Sequence, residues 1–398
     1  MPKDTNLVGL KRKSLSKKEV SKIVIQKMTF KELGISNKLV QGLSELNINT
    51  PTKIQELVIS HLLQNNGDLV AQAQTGTGKT AAFGLPILER INLKEDKIQA
   101  VILSPTRELA QQIKHQLFKF TKYSDKVFME VVFGGEKIER QIQNLKRPTH
   151  ILVATPGRLA DLIRRKAVDI RQAQLMVLDE ADEMLSMGFK KELEFILTTM
   201  KQQKNIWLFS ATIPSDIKYI INQYLDPKAK QIQASGNELV NEKIMHQYVP
   251  CDADEKMMVL DYFLKTQKNE RGIIFCNTKN AARTLHEQLK ARKLPSGILE
   301  GDMHQKDRDK EMRAFKSKKL DLLIATDVAA RGIDVANLAF VVHYEIPKQI
   351  DYYIHRSGRT ARAGKTGISM ALCTKNEVTQ IKKIQQELGL KIKQVPFG

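Results

Sequence analysis

The chain has 398 residues, 42% of them hydrophobic, which suffices for two cores of ordinary size and excludes a disordered chain. Its formal net charge of +20 favours an anionic polymer as partner, while only 6% aromatic residues argue against a long series of base-stacking platforms. No run approaches the roughly 18 to 20 apolar residues that span a bilayer, the first residues lack a secretory signal pattern, and Cys251, Cys276 and Cys373 are too scattered for a zinc or disulfide framework.

Residues 1–27 carry eight basic side chains against Asp4 and Glu19 and no apolar periodicity, which predicts a solvated basic arm. After it, short β-rich runs alternate with helical segments. Strands are predicted at 69–73, 100–104, 151–154, 175–178 and 207–210. Helices are predicted at 108–120 and 156–165, with Pro156 suited to a first helical position. The pattern lapses in QASGNELVN, 233–241, and then restarts. Further strands are predicted at 272–276, 297–299, 320–325, 339–344 and 368–373, with helices at 281–293 and 307–315. This βαβ syntax predicts an α/β fold of two tandem domains, 28–235 and 244–398, joined by a linker at 236–243.

The segment AQTGTGKT, 73–80, follows a predicted strand and opens a helix. Its glycines, Gly76 and Gly78, allow backbone N–H groups of Ala73, Gln74, Thr75 and Thr77 to curl around phosphate oxygens. Lys79 supplies charge to the phosphates and Thr80 a hydroxyl for Mg2+. Ala73 stands where the strict pattern has glycine. In LMVLDEAD, 175–182, an apolar strand ends in three carboxylates. Asp179 is suited to hold Mg2+, and Glu180 to orient or deprotonate an attacking water.

These two segments, with others in a fixed order, resemble the DEAD-box ATP-dependent RNA helicase family, a superfamily 2 helicase core. PTREL at 105–109, GG at 134–135, TPGR at 155–158 and SAT at 210–212 lie in the first half. FCNT at 275–278, QKDR at 305–308, ATDVAARGID at 325–334 and HRSGRTAR at 355–362 lie in the second. The resemblance runs from about Thr29 to the C-terminus. It implies two RecA-like domains, each a mostly parallel sheet flanked by helices, using ATP and Mg2+.

By resemblance, Gln55 in TPTKIQ reads adenine through its amide, and Phe30 stacks on the base. Asn47 and Lys53 replace residues that are usually Gly and Pro there. Asn tolerates a left-handed backbone, so the turn is expected to survive. Arg359 and Arg362 are expected to reach the γ-phosphate as arginine fingers, and Asp334 to contact the ribose or organise them. Ser210 and Thr212 are expected to couple hydrolysis to strand separation. The expected RNA track uses Arg107, Gly135, Thr155, Gly157 and Arg158 of the first domain, and Asn277, Thr278, Gln305, Arg308, Thr326, Arg331 and Gly332 of the second. Its contacts are to phosphates and sugars, so they carry no base sequence.

The resemblance implies a monomeric cytoplasmic enzyme that closes on RNA, unwinds short duplexes and remodels RNA–protein complexes. An ATP-gated clamp on RNA would carry the same motifs. A DNA helicase is disfavoured by TPTKIQ and PTREL, and other P-loop ATPases by the arginine motif of the second half.

Overall fold

The computed structural model describes residues 28–74, 76–200, 204–233, 243–268, 270–330, 338–361 and 366–397. The expected arm at 1–27, most of the expected linker, and Thr75, Arg331, Gly332, Asp334 and Arg362 lie outside them.

Two seven-stranded sheets follow one another along the chain, and every strand pairing in them is parallel. The first comprises β1 (Leu69–Gln72), β2 (Ala100–Leu103), β3 (Met129–Val132), β4 (Ile151–Ala154), β5 (Leu175–Asp179), β6 (Asn205–Ser210) and β7 (Lys230–Gln233), in spatial order β3-β4-β2-β5-β6-β1-β7. The second comprises β8 (Ile244–Pro250), β9 (Gly272–Cys276), β10 (Ser296–Leu299), β11 (Leu322–Thr326), β12 (Phe340–His343), β13 (Gly367–Cys373) and β14 (Lys393–Gln394), in order β10-β11-β9-β12-β13-β8-β14.

Strand alternation divides each sheet between two cores. In the first, Ala100, Ile102, Val177, Trp207 and Phe209 face one layer of helices, while Val101, Leu103, Met176, Ile206 and Leu208 face the other. These central strands are buried on both faces and so read as continuous apolar runs. The predicted strands accordingly match the structure to within about two residues at their ends. The edge strands β3, β7 and β14, and β8 beside one of them, were not predicted. Only Ile232 of β7 is buried, and β8 alternates buried with more exposed side chains. Asn47 adopts φ 58°, the left-handed turn expected of it.

Asp68, just before β1, ties the first sheet together. Its carboxylate accepts from the backbone N–H groups of Ile206 and Asp226, both at 2.7 Å. Burial raises its pKa, and those two donors act against the rise.

Behind the helix Ile350–Ser357 the second domain buries a polar layer. The rings of His343 and Tyr353 stack with centroids 4.5 Å apart. His343 Nε2 lies 3.0 Å from Ser369 Oγ, and His246 Nδ1 lies 3.1 Å from the Tyr353 hydroxyl. Burial lowers the pKa of His246 to about 4, and that of His343 well below its ordinary value, with the Arg356 charge a lesser cause.

Both imidazoles are thus neutral in the fold, whereas the unfolded chain takes up their protons below about pH 6.5. Their contribution is complete above that pH and is lost as pH falls toward the folded values. Each group adds a slope of at most about 1.4 kcal/mol per pH unit. Urea unfolding between pH 7 and pH 5 should show the second domain weakening, less steeply in His246→Gln. Identical slopes in the two proteins would contradict this account.

Candidate active site

The chemistry-bearing loops lie at the carboxyl ends of the strands. The loop after β1 turns through Gly76 (φ 84°) and Gly78 (φ 90°) into the helix Lys79–Arg90. The positive φ of Gly78 favours glycine, and a Cβ there would stand 2.3 Å from Gln55 Nε2 and displace that amide. Gln55 itself is buried and braces this loop. Its Nε2 donates to the Gly78 carbonyl at 3.0 Å and its Oε1 accepts from the Thr52 N–H at 2.9 Å. The Thr52 hydroxyl donates to the Thr77 carbonyl at 2.9 Å. Lys79 is 6% exposed, and its Nζ donates to the Ala73 carbonyl at 3.2 Å.

Beside this loop, β5 ends in Asp179. Burial raises its carboxyl pKa to about 7; the Lys79 charge opposes the rise and Glu180 adds to it. Among the described residues, Asp179 Oδ1 is buried without a hydrogen-bond partner. A hard oxygen donor of this kind, with the Thr80 hydroxyl on the adjoining helix, fits Mg2+, which takes few protein ligands and completes its shell with phosphate and water. Glu180 sits at φ 53°, ψ 53°, a left-handed conformation that costs a non-glycine residue about 1–3 kcal/mol and persists mainly where a side chain must be aimed.

Asp182 joins three motifs. Its Oδ2 accepts from the Thr212 N–H at 2.8 Å and the Thr212 hydroxyl at 2.9 Å, while its own N–H donates to Ser210 Oγ at 3.2 Å. From the second domain, His355 Nε2 approaches the same oxygen to 3.8 Å, and His355 Nδ1 pairs with Glu183. Burial works against a charge on His355, but its hydrogen bond to Glu183 and the charges of Glu183, Asp182 and Glu180 outweigh that and raise its pKa. Arg359, 5% exposed, donates through Nε to the His355 carbonyl at 3.2 Å and lines a small crevice with Glu183 and Asp327.

A second, larger cleft of about 470 Å3 also spans the two domains. Arg107, Thr155, Gly157 and Arg158 line it from the first domain, and Gln305 and Arg308 from the second. Two ion pairs bridge it in opposite senses. Arg107 meets Asp309 at 3.0 Å, and Arg308 meets Glu108 at 2.8 Å.

Comparison with known proteins decides the family. Residues 52–220 match the DEAD/DEAH box helicase model and residues 255–364 the helicase conserved C-terminal domain. The chain belongs to the DEAD-box helicases. It is 40% identical over 358 residues to the DEAD-box ATP-dependent RNA helicase CshA of Bacillus cereus, covering 90% of this chain and 68% of that one. Dbp5 of S. cerevisiae bound to RNA and ADP BeF3 superposes with a TM-score of 0.85, at 32% identity over 92% of this chain and 95% of the other. A Dbp5 variant bound to Gle1 and IP6 gives 0.78, at 31% identity over 93% and 95%. The protein is therefore an ATP-dependent RNA helicase, an RNA-stimulated ATPase built from two RecA-like domains.

Within this helicase, several expected site residues have other work. Phe30 is 2% exposed inside the first core, which leaves no open face for a base. Gly135 turns at φ 82° next to Gly134, and it is Gly134 that lines the cleft. Thr278 caps the helix Lys279–Ala291 by accepting from the Ala281 N–H, and Thr326 is buried at the end of β11. Both ends of the Asn277 amide are engaged, with Ile346 and with Arg356.

Arg356 lies within the quoted HRSGRTAR motif without an assigned role, yet it is the buried hub of the second domain. It is 1% exposed and bonds Asp327 at 2.5 and 2.7 Å, the Glu345 carbonyl at 2.7 Å and Asn277 Oδ1 at 2.8 Å. One guanidinium thus binds FCNT, ATDV and HRSGR into a single unit. The roles of His355, Asp182 and Glu183 were also missed, although the first two lie within quoted motifs. Nothing in the sequence singled out Asp309.

Replacing Arg356 with Ala leaves Asp327 without its buried partner, a type of change that costs about 3–5 kcal/mol. Urea unfolding should show that loss in the second domain, with the first domain's transition unchanged. A cost below about 1 kcal/mol would show that the arginine is not the hub.

Proposed function

We propose that this helicase works by local closure. ATP and RNA together bring the two domains into contact, one RNA strand is held in the interdomain cleft in a form its partner cannot follow, and hydrolysis reopens the cleft. Unwinding of short duplexes and remodelling of RNA–protein complexes in the cytoplasm follow from repeated cycles. The observation that carries this reading is the His355 contact with Glu183 and Asp182. It joins the arginine helix of one domain to the strand end bearing Asp179 and Glu180 in the other. Further support is the better superposition on Dbp5 with RNA and ADP BeF3 than on Dbp5 with Gle1 and IP6.

In this scheme Lys79 and the P-loop N–H groups bind the phosphates, and Asp179 and Thr80 would hold a Mg2+ that would neutralise phosphate charge. Glu180 orients the attacking water. Arg359 and Arg362 supply charge to the transition state. Gln55 serves adenine selection through the P-loop it braces. Arg107, Arg158, Arg308, Gln305 and the helix start at Thr155–Gly157 hold RNA through phosphates and sugars, and the cleft ion pairs exchange their carboxylates for phosphate when RNA enters.

Glu180→Gln should bind ATP and RNA normally and lose at least about a hundredfold in turnover, since only the water-activating step is removed. Single-turnover hydrolysis measures this, and near-normal rates would exclude Glu180 from that role.

The raised pKa of His355 gives closure a pH dependence. The imidazolium's contribution is complete below about pH 6.5 and disappears as pH rises through the raised value. The distance between labels on the two domains, with an ATP analogue and RNA present, should lengthen at alkaline pH in the wild type and stay insensitive to pH in His355→Gln. Equal pH dependence in both would remove His355 from the closing mechanism.

A further inference from the structure

The helix Gln305–Lys316 enters the interdomain cleft with its first turn, where Gln305 and Arg308 line the wall. Beyond that turn it carries a second set of cations. At about 100° per residue, Lys306, Lys310 and Arg313 fall within an arc of about 60°. Met312 and Phe315, the buried residues of this helix, project from the opposite side. Lys316, Lys318 and Lys319 continue the charge past the helix end, and all six cations are exposed.

Their surroundings leave that charge uncompensated. Residues 305–319 hold seven Lys or Arg against Asp307, Asp309 and Glu311, a net of +4. Asp309 is committed to Arg107 across the cleft, and Arg308 to Glu108. Glu311 is directed to the other side, its Oε2 lying 2.7 Å from where a Cβ on Gly297 would be. Among the described residues, none of the six exposed cations forms a side-chain hydrogen bond or ion pair. Exposed lysines elsewhere on the molecule do pair, as Lys279 does with Asp302 at 2.5 Å.

We propose that this stripe is a second RNA-binding surface, which holds the phosphates of the strand where it leaves the cleft. The inference rests on the cleft being the site of RNA binding, as argued above. The partner is identified by charge and by continuity. The stripe starts one residue from a wall of the cleft and runs on for about 10 Å along the helix. It offers point charges and no aromatic platform, so it would grip backbone without reading bases. Its effect is to favour RNAs with a tail beyond the cleft over those that end inside it.

The test is the triple variant Lys306→Gln, Lys310→Gln, Arg313→Gln, compared with wild type on two single-stranded RNAs. One is short enough to end within the cleft, and the other extends well beyond it. Wild type should bind the long RNA more tightly, and the variant should bind both equally, with short-RNA-stimulated ATPase unchanged. The slope of log affinity against log salt on the long RNA should fall by about 2, since each neutralised phosphate of a single strand accounts for about 0.7 of it. The matching triple Arg or Lys exchange, which keeps the charges, should behave as wild type.

Unchanged long-RNA affinity and salt slope in the Gln variant would overturn the proposal. Equal losses on both RNAs would overturn it as a separate surface and assign these side chains to the cleft. Retained preference for long RNA together with weakened binding of an acidic protein would assign the stripe to a protein partner and likewise overturn it. Failure of the wild type itself to respond to short RNA would count against the cleft, not the stripe.

Discussion

The structure depends on how a row of buried carboxylates at the end of β5 is neutralised. Asp179, Glu180, Asp182 and Glu183 lie within five residues and are all nearly inaccessible to water. Buried charges at this density persist only when each finds a counter-charge or donors. Lys79 offsets Asp179 from the neighbouring loop, and Thr212 gives two hydrogen bonds to Asp182. Glu183 turns instead toward the second domain, where it shares a small crevice with Arg359. His355 of the second domain brings a cation to Asp182 and Glu183. Part of the acidic row is therefore neutralised across the domain boundary, which links the electrostatics of the site to the geometry of the whole molecule.

Parallel sheets explain why motifs so distant in the chain converge. Every strand of a sheet points the same way, so the loops at the carboxyl ends form one surface, where ligands of open α/β sheets bind. The P-loop follows β1, DEAD spans the end of β5, and SAT spans the end of β6. Strand order places β5, β6 and β1 side by side. PTREL and TPGR follow β2 and β4 on the other flank of the same edge and face the cleft. In the proposed scheme the nucleotide and RNA sites are thus two stretches of one sheet edge. The second domain repeats the arrangement and presents its own edge, with β9 and β11 carrying FCNT and ATDV.

Much of this was legible in the sequence because it depends on local rules. Doubly buried strands announce themselves as apolar runs, and a phosphate loop as glycines before a lysine. What was not legible depends on long-range partners. The strand β7 has one buried residue and is held by its neighbour β1, so its own composition says little. Arg356 looks like any arginine in an arginine-rich motif until Asp327, Glu345 and Asn277 are brought round it. Gln55 was read for its amide, but the sequence did not show that the same amide also bonds the loop it helps to shape. Phe30 was assigned a base, whereas a large apolar ring beside Leu33 and Ile35 is better accommodated in the core.

The two ion pairs across the cleft have a consequence for docking register. Each side presents a cation followed by an anion, Arg107–Glu108 on one helix and Arg308–Asp309 on the other, and they meet head to tail. In that alignment every contact is attractive. Sliding one helix along the other by a single residue would set Arg107 against Arg308, or Glu108 against Asp309, and reverse the sign of the interaction. While no RNA occupies the cleft, two residues on each surface therefore act as a vernier, favouring one alignment of the domains over those adjacent to it.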